Sequence, residues 1–206
     1  MTRASAEDLA AALDRLAEQA LANLAPLSFD TAQTAADVDA VLRLRYECVI
    51  EMGWGRPEDF ADGRERDEYD ESATFVVCRD GPAIVGSHRL VWPEAGRPLP
   101  LEREFGIRID PPGEAADAGR LVIAPDYRGL DGHPVLAGLV GRCWLEARRR
   151  GYSRVVAAAS SKLIDIYPGV GVRITVLGPS KVHWGEERTP VDIAGREDTF
   201  ASVAGG

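Results

Sequence analysis

Three arginines (Arg45, Arg89 and Arg120) and three aspartates (Asp67, Asp70 and Asp117) fall on a helix, loops and strand ends, where side chains can surround one cleft. A guanidinium and a carboxylate at such positions can do two things. They can pair with each other and hold an N-terminal helix and loop over the cleft, or they can orient a substrate amine or carboxylate. Both readings stay open on the sequence alone. Other reactive types are less well arranged. His88, His133 and His183 are scattered, which argues against a zinc centre. Cys143 lies beside Trp144 inside a helical pattern, and no histidine stands near it in sequence to activate a thiolate. Arg142, Arg148, Arg149, Arg150 and Arg154 form a basic cluster in an acidic chain. That cluster can steer an acidic partner or cap the end of a helix with cations.

The elements that must position these residues follow from the hydrophobic pattern. Ser5 to Leu24 is an amphipathic helix with Leu9, Leu13, Leu16 and Leu24 near one face. An extended stretch follows within Pro26–Thr34, and Ala35 to Met52 is helical again, closed by Gly53, Gly55 and Pro57. Ala73–Arg79 and Ala83–Val91 are strands joined by the turn Asp80-Gly81-Pro82. Trp92–Ala116 is irregular and rich in proline, long enough to cover a substrate. Gly119–Ile123 is a strand, Pro134–Arg150 a helix closed by Gly151, and Arg154–Ala159 a buried strand. A short helix over Ser160–Tyr167 and late strands at Val172–Leu177 and Val191–Ala194 complete the chain, with Lys181–Glu186 extended. The strand–helix–strand order places Gly119–Ile123 and Arg154–Ala159 as parallel neighbours.

Bulk properties bound the answer. The chain has 206 residues, 45% hydrophobic content and a net charge of −9. That suits one α/β domain with a sizeable core, and it argues against nucleic acid or an anionic membrane as a main partner. No apolar run can span a bilayer, and the charged N-terminus is no secretory signal. Three widely spaced cysteines read as reduced thiols, so a cytoplasmic location is expected.

Two segments carry a family resemblance. Val122-Ile123-Ala124-Pro125-Asp126-Tyr127-Arg128-Gly129 resembles the strand-to-helix junction of GNAT acyltransferases, and Tyr167-Pro168-Gly169-Val170-Gly171-Val172 resembles their Tyr-containing element. The first half is similar to acyl-homoserine-lactone synthases and N-acyl amino acid synthases. Leu44-Arg45-Tyr46 followed by Trp54 resembles their Arg…Trp element, one residue short. Asp67-Glu68-Tyr69-Asp70 resembles their Asp-x-x-Asp pair, Gly86-Ser87-His88-Arg89-Leu90 their Gly-x-x-Arg-Leu, and Asp117-Ala118-Gly119-Arg120 their Glu-x-Ser-Arg, with Asp for Glu and Gly for Ser.

The resemblance implies a single GNAT-type α/β domain: a mixed twisted sheet with splayed parallel central strands, helices on both faces and an extra N-terminal helix over residues 1–26. Residues 27–206 would form the acyltransferase domain. It implies transfer of an acyl group from a pantetheine thioester to a small amine such as an amino acid, with no permanently bound cofactor and no metal. Leu121, Val122, Ile123, Arg128, Gly129 and Gly132 would hold acyl-coenzyme A or acyl-phosphopantetheine, the loop N–H groups facing the pyrophosphate. Arg45, Trp54, Asp67, Asp70, Arg89 and Arg120 would bind the acceptor. Asp117 would take the ammonium proton, and Tyr167 would protonate the departing thiolate. The family's Gly-x-Gly continuation is replaced by Leu130-Asp131-Gly132-His133-Pro134. Asp131 sets a negative charge near any pyrophosphate, which fits pantetheine delivered on an acyl carrier protein. The alternatives are an acetyl-coenzyme A-dependent small-molecule acetyltransferase and a GNAT-fold module that binds a ligand without turnover.

Overall fold

The computed structural model describes residues 6–129, 133–166 and 174–193. In chain order the elements are α1 (Ala6–Ala22), β1 (Ser28–Thr31), α2 (Ala35–Glu51), β2 (Thr74–Asp80), β3 (Ala83–Val91), α3 (Pro100–Phe105), β4 (Ala116–Ile123), α4 (Pro134–Arg149), β5 (Val155–Ser160), α5 (Ser161–Ile166), β6 (Ile174–Val176), β7 (Lys181–His183) and β8 (Glu186–Ile193). The strand order is β1-β2-β3-β4-β5-β8-β6, with β7 on β8. The pairings β1–β2, β2–β3, β5–β8, β6–β8 and β7–β8 are antiparallel. No helix among the described residues is long and apolar enough to cross a membrane.

The chain divides into two compact units, one of Ala17–Trp92 with Ala118–Cys143 and the other of Met1–Leu16, Pro93–Asp117 and Trp144–Gly206. In the first, α2 starts at a reciprocal cap. The Thr34 hydroxyl accepts from Asp37 N at 3.1 Å, and the Asp37 carboxylate accepts from Thr34 N at 3.1 Å. One face of α2 packs Val41 on Phe75 and Val77, and Leu44 and Cys48 on Val122. The opposite face of the sheet receives α4, and two glycines let it come close. A Cβ on Gly86 would meet Val135 at 2.9 Å, and one on Gly138 would fall 2.2 Å from the Phe29 ring. The alternation along β3 therefore aims Gly86 and His88 at α4, and Ser87 and Arg89 at α2.

The second unit contains two features that the hydrophobic pattern hides. Within the irregular stretch, Pro100–Phe105 forms a helix. Glu102 closes its start by accepting from Leu99 N at 2.9 Å, and Gly106 in the left-handed region ends it. The late extended segment is a hairpin, β7 and β8 reversing at Trp184 and Gly185, both with positive φ. β8 runs through Pro190, where the pattern expected the strand only from Val191. Pro190 sits between the residues paired with β7 and those paired with β6, and its carbonyl accepts from Leu177 N at 2.9 Å. Proline has no N–H to return to Leu177, so this pair holds by the one bond that Leu177 donates. Similarly, β4 begins at Ala116, three residues before the expected Gly119, so Asp117 lies within a strand and not ahead of it.

Candidate active site

In the first unit, four elements converge on one charge cluster. Arg45 comes from the middle of α2, Glu65, Asp67 and Asp70 from the loop that follows it, Arg89 from β3 and Arg120 from β4. The loop docks on α2 through Glu65 N, which donates to Leu42 O at 3.1 Å. It then folds on itself. Asp67 accepts from Tyr69 N at 2.9 Å, and Asp70 accepts from Asp67 N at 2.9 Å, which turns all three carboxylates toward the sheet.

The pairing is cyclic. Arg45 donates to Glu65 through Nε and to Asp70 Oδ1 at 2.8 Å. Arg89 donates to Asp67 at 2.6 Å and to the same Asp70 oxygen at 2.7 Å. Arg120 reaches Asp67 at 2.8 Å and Glu65 at 3.3 Å. Three guanidinium groups face three carboxylates, so the cluster is neutral overall. The Arg89 guanidinium also lies 6.0 Å from the ring centre of buried Tyr69. Burial acts on the Asp67 carboxyl to raise its pKa, but the charge and hydrogen bond of Arg89, aided by Arg120, win and hold it below the ordinary range. For Arg120 burial is the larger effect, and its pKa falls below that of a free guanidinium.

The cluster has a closed end and an open end. Arg45 is 0% exposed and Glu65 4%, whereas Arg120 is 17% exposed and Asp67 19%. Arg120 also has φ of 54°, a left-handed conformation inside a strand that non-glycine residues rarely adopt. The closed end fixes geometry, and the open end is where a ligand can be touched.

Beyond the cluster, the remaining expected site residues are distributed as follows. Trp54 is half-buried just beyond α2, its backbone N–H donating to Val49 O at 2.9 Å. The Val122 side chain is buried against Leu44 and Cys48, and Leu121 and Ile123 are half-buried. Gly129 has φ of 70° and open space where a Cβ would stand. Arg128 turns inward, donating to Ile123 O at 2.6 Å and pairing with Glu51 at 2.8 Å. In the other unit Asp117 is buried and accepts from Leu101 N at 2.6 Å. Gly132 and Tyr167 lie outside the described residues. Glu65 was missed on the sequence because it stands in Arg64-Glu65-Arg66-Asp67-Glu68, a run that reads as a solvated loop. Among the described residues no group of His, Cys, Asp and Glu is placed to hold a metal ion.

Residues 44–137 match the family model described as acetyltransferase (GNAT) domain. Solved structures agree on the fold. The chain resembles TofI, solved in a ternary complex with an inhibitor and MTA, at 21% identity and a TM-score of 0.62, over 81% of this chain and 90% of that one. It resembles FeeM, an N-acyl amino acid synthase from uncultured soil microbes, at 17% identity and a TM-score of 0.60, over 81% of this chain and 88% of FeeM. It also resembles BjaI, a CoA-dependent acyl-homoserine lactone synthase solved with SAM and isopentyl-CoA, at 23% identity and a TM-score of 0.60, over 82% and 81%. A comparison with curated proteins gives no significant match. Within the matched residues the charge cluster brings together Arg45, Asp67, Asp70, Arg89 and Arg120, with Glu65 as a sixth member.

Proposed function

We propose that this GNAT domain is an N-acyltransferase that moves an acyl group from a pantetheine thioester to the amine of an amino-acid-type acceptor. One observation carries the reading: the charge cluster is closed at Arg45 and Glu65 and open at Asp67 and Arg120. A carboxylate beside a guanidinium complements a molecule bearing an ammonium and a carboxylate on neighbouring atoms. Two structural neighbours support the acceptor class, one an N-acyl amino acid synthase and one bound to SAM.

The chemistry is direct attack. The acceptor ammonium gives its proton to Asp117, directly or through water. The neutral amine then attacks the thioester carbonyl, whose oxygen is polarised by backbone N–H groups near Val122. The carbon–sulfur bond breaks, Tyr167 protonates the thiolate, and the products are an amide and a free thiol. A donor on a carrier protein, whose pantetheine brings no pyrophosphate, suits the acidic Asp131 better than a coenzyme A thioester, and long acyl donors are expected to outrun acetyl-coenzyme A. The acetyltransferase description of the matching family supports a second reading, a short acetyl donor.

Free-thiol release, measured with octanoyl carrier protein, octanoyl-coenzyme A and acetyl-coenzyme A against a panel of amino acids and SAM, tests this. Octanoyl donors should be fastest. Highest rates with acetyl-coenzyme A would establish the second reading, and ligand binding without thiol release from any donor would establish a non-catalytic module. Asp67→Asn and Arg120→Lys should each raise the acceptor KM about tenfold and leave the donor KM unchanged. Tyr167→Phe should lower kcat on the order of 10²-fold.

A further inference from the structure

We propose that Arg128 serves the GNAT domain as a positioning residue for the donor, acting through a latch to α2, and that its side chain does not touch a donor phosphate. The proposal deepens the acyltransferase reading and rests on it for its kinetic test.

The turn after β4 would present backbone N–H groups to a pantetheine donor, so its rigidity matters. That turn, Ala124–Gly129, is pinned at three places. Ala124 N donates to Val85 O at 2.8 Å. The Tyr127 hydroxyl donates to Asp80 at 2.6 Å. The third pin is the Arg128 guanidinium, and every nitrogen of that group is engaged. Nε donates to Ile123 O at 2.6 Å, Nη1 to Glu51 Oε1 at 3.0 Å, and Nη2 lies 2.8 Å from Glu51 Oε2 and 3.2 Å from Cys48 Sγ. Cys48 also points its thiol at Ile123 O, 3.6 Å away.

Two consequences follow. Four of the five N–H groups meet Ile123 O, Glu51 and Cys48 Sγ, and Nη1 also faces Met52 Sδ at 3.7 Å, so a pyrophosphate would have to displace one of these partners. And the latch joins the turn to the last turn of α2, the same helix that carries Arg45 into the charge cluster. Arg128 thus sets where the turn stands relative to α2, whatever the donor carries beyond its pantetheine.

The test compares two donors with one acyl chain, octanoyl-coenzyme A and octanoyl-pantetheine, in wild type, Arg128→Ala, Arg128→Lys and Glu51→Gln. The latch predicts that Arg128→Ala lowers kcat/KM by the same factor for both donors, about tenfold to hundredfold. Arg128→Lys should recover part of the loss. Glu51→Gln should reproduce part of it and add little when combined with Arg128→Ala. A loss confined to octanoyl-coenzyme A would show that Arg128 grips phosphate and overturn the proposal, as would no loss with either donor. Amide hydrogen exchange of the unliganded protein decides the matter without turnover. Faster exchange at Tyr127, Arg128 and Gly129 in Arg128→Ala supports the latch, and unchanged exchange sinks it. If wild type releases no thiol from either donor, the acyltransferase reading fails while the exchange result still stands.

Discussion

The buried cluster around Arg45 and the arginine-rich end of α4 have the same ingredients, guanidinium groups beside carboxylates, and differ in their solvent. Arg45 is 0% exposed and meets Glu65 and Asp70 in a water-poor interior. At the end of α4, Arg148 pairs with Glu7 and Asp14, while Arg149 and Arg150 reach Glu146 at 3.7 and 3.4 Å. Arg149 is 75% exposed. Upstream on α4, Arg142 stands 3.3 Å from Asp30, and Arg154 pairs with buried Asp192 at 2.6 Å. Each of the five arginines therefore has an acidic neighbour. Charge pairing is common to both regions, and burial decides which of them constrains the fold.

The largest expected effect tests the buried side. Arg45→Ala leaves three carboxylates facing two guanidinium groups in a dry site, and should cost about 3–5 kcal/mol in urea-unfolding stability. A cost below about 1 kcal/mol would mean that water reaches the cluster and would erase the contrast.

The next effect sharpens it with a buried group that has no counter-charge. His88 is the neighbour of Arg89 on β3 but faces α4, and its Nδ1 has no hydrogen-bond partner. Burial first, and the Arg89 charge second, push its pKa down from 6.5 to about 4. The folded state therefore binds the proton less readily than the unfolded chain. The stability this contributes is complete above pH 6.5 and drains away as pH falls toward 4, by about 3 kcal/mol. His88→Gln should flatten unfolding free energy across that window. Equal slopes for the two proteins would place the acid sensitivity elsewhere. The Asp67 carboxyl, held low by Arg89 against the effect of burial, contributes below this window, its stabilisation being lost as pH falls through its depressed pKa.

The smallest effect belongs to the surface. Arg149→Ala should change thermal stability by less than about 0.5 kcal/mol, because an exposed ion pair is offset by side-chain entropy and solvent. A larger loss would show that Glu146, itself buried, depends on that one cation.

Much of the architecture was readable in local signals. Gly53, Gly55 and Pro57 close off α2, and Asp80-Gly81 reverses the β2–β3 hairpin. Helix α3 escaped because it is one and a half turns among prolines, too short for any periodicity. The β7–β8 hairpin escaped because Trp184 occupies a left-handed position where asparagine or glycine is the usual signal. For the candidate site, the five charged residues were legible as a set, but the sixth, Glu65, was not. Asp117, expected among the same ion pairs, is held by Leu101 N in the second unit.

What the sequence by itself determined is the inventory: which segments are helices and strands, and which charged residues stand at their ends. Those depend on interactions within a few residues, on caps, turns and side-chain periodicity. What only the tertiary structure decided is the pairing. Arg45 met Glu65 and Asp70 across 20 and 25 positions, and Arg120 met Asp67 across 53. Arg128 turned to Glu51 across 77 positions. An ion pair forms where two side chains share a few ångströms of dry space, and that space exists only after α2, the 65–70 loop, β3 and β4 have packed. Local propensity carries no record of it.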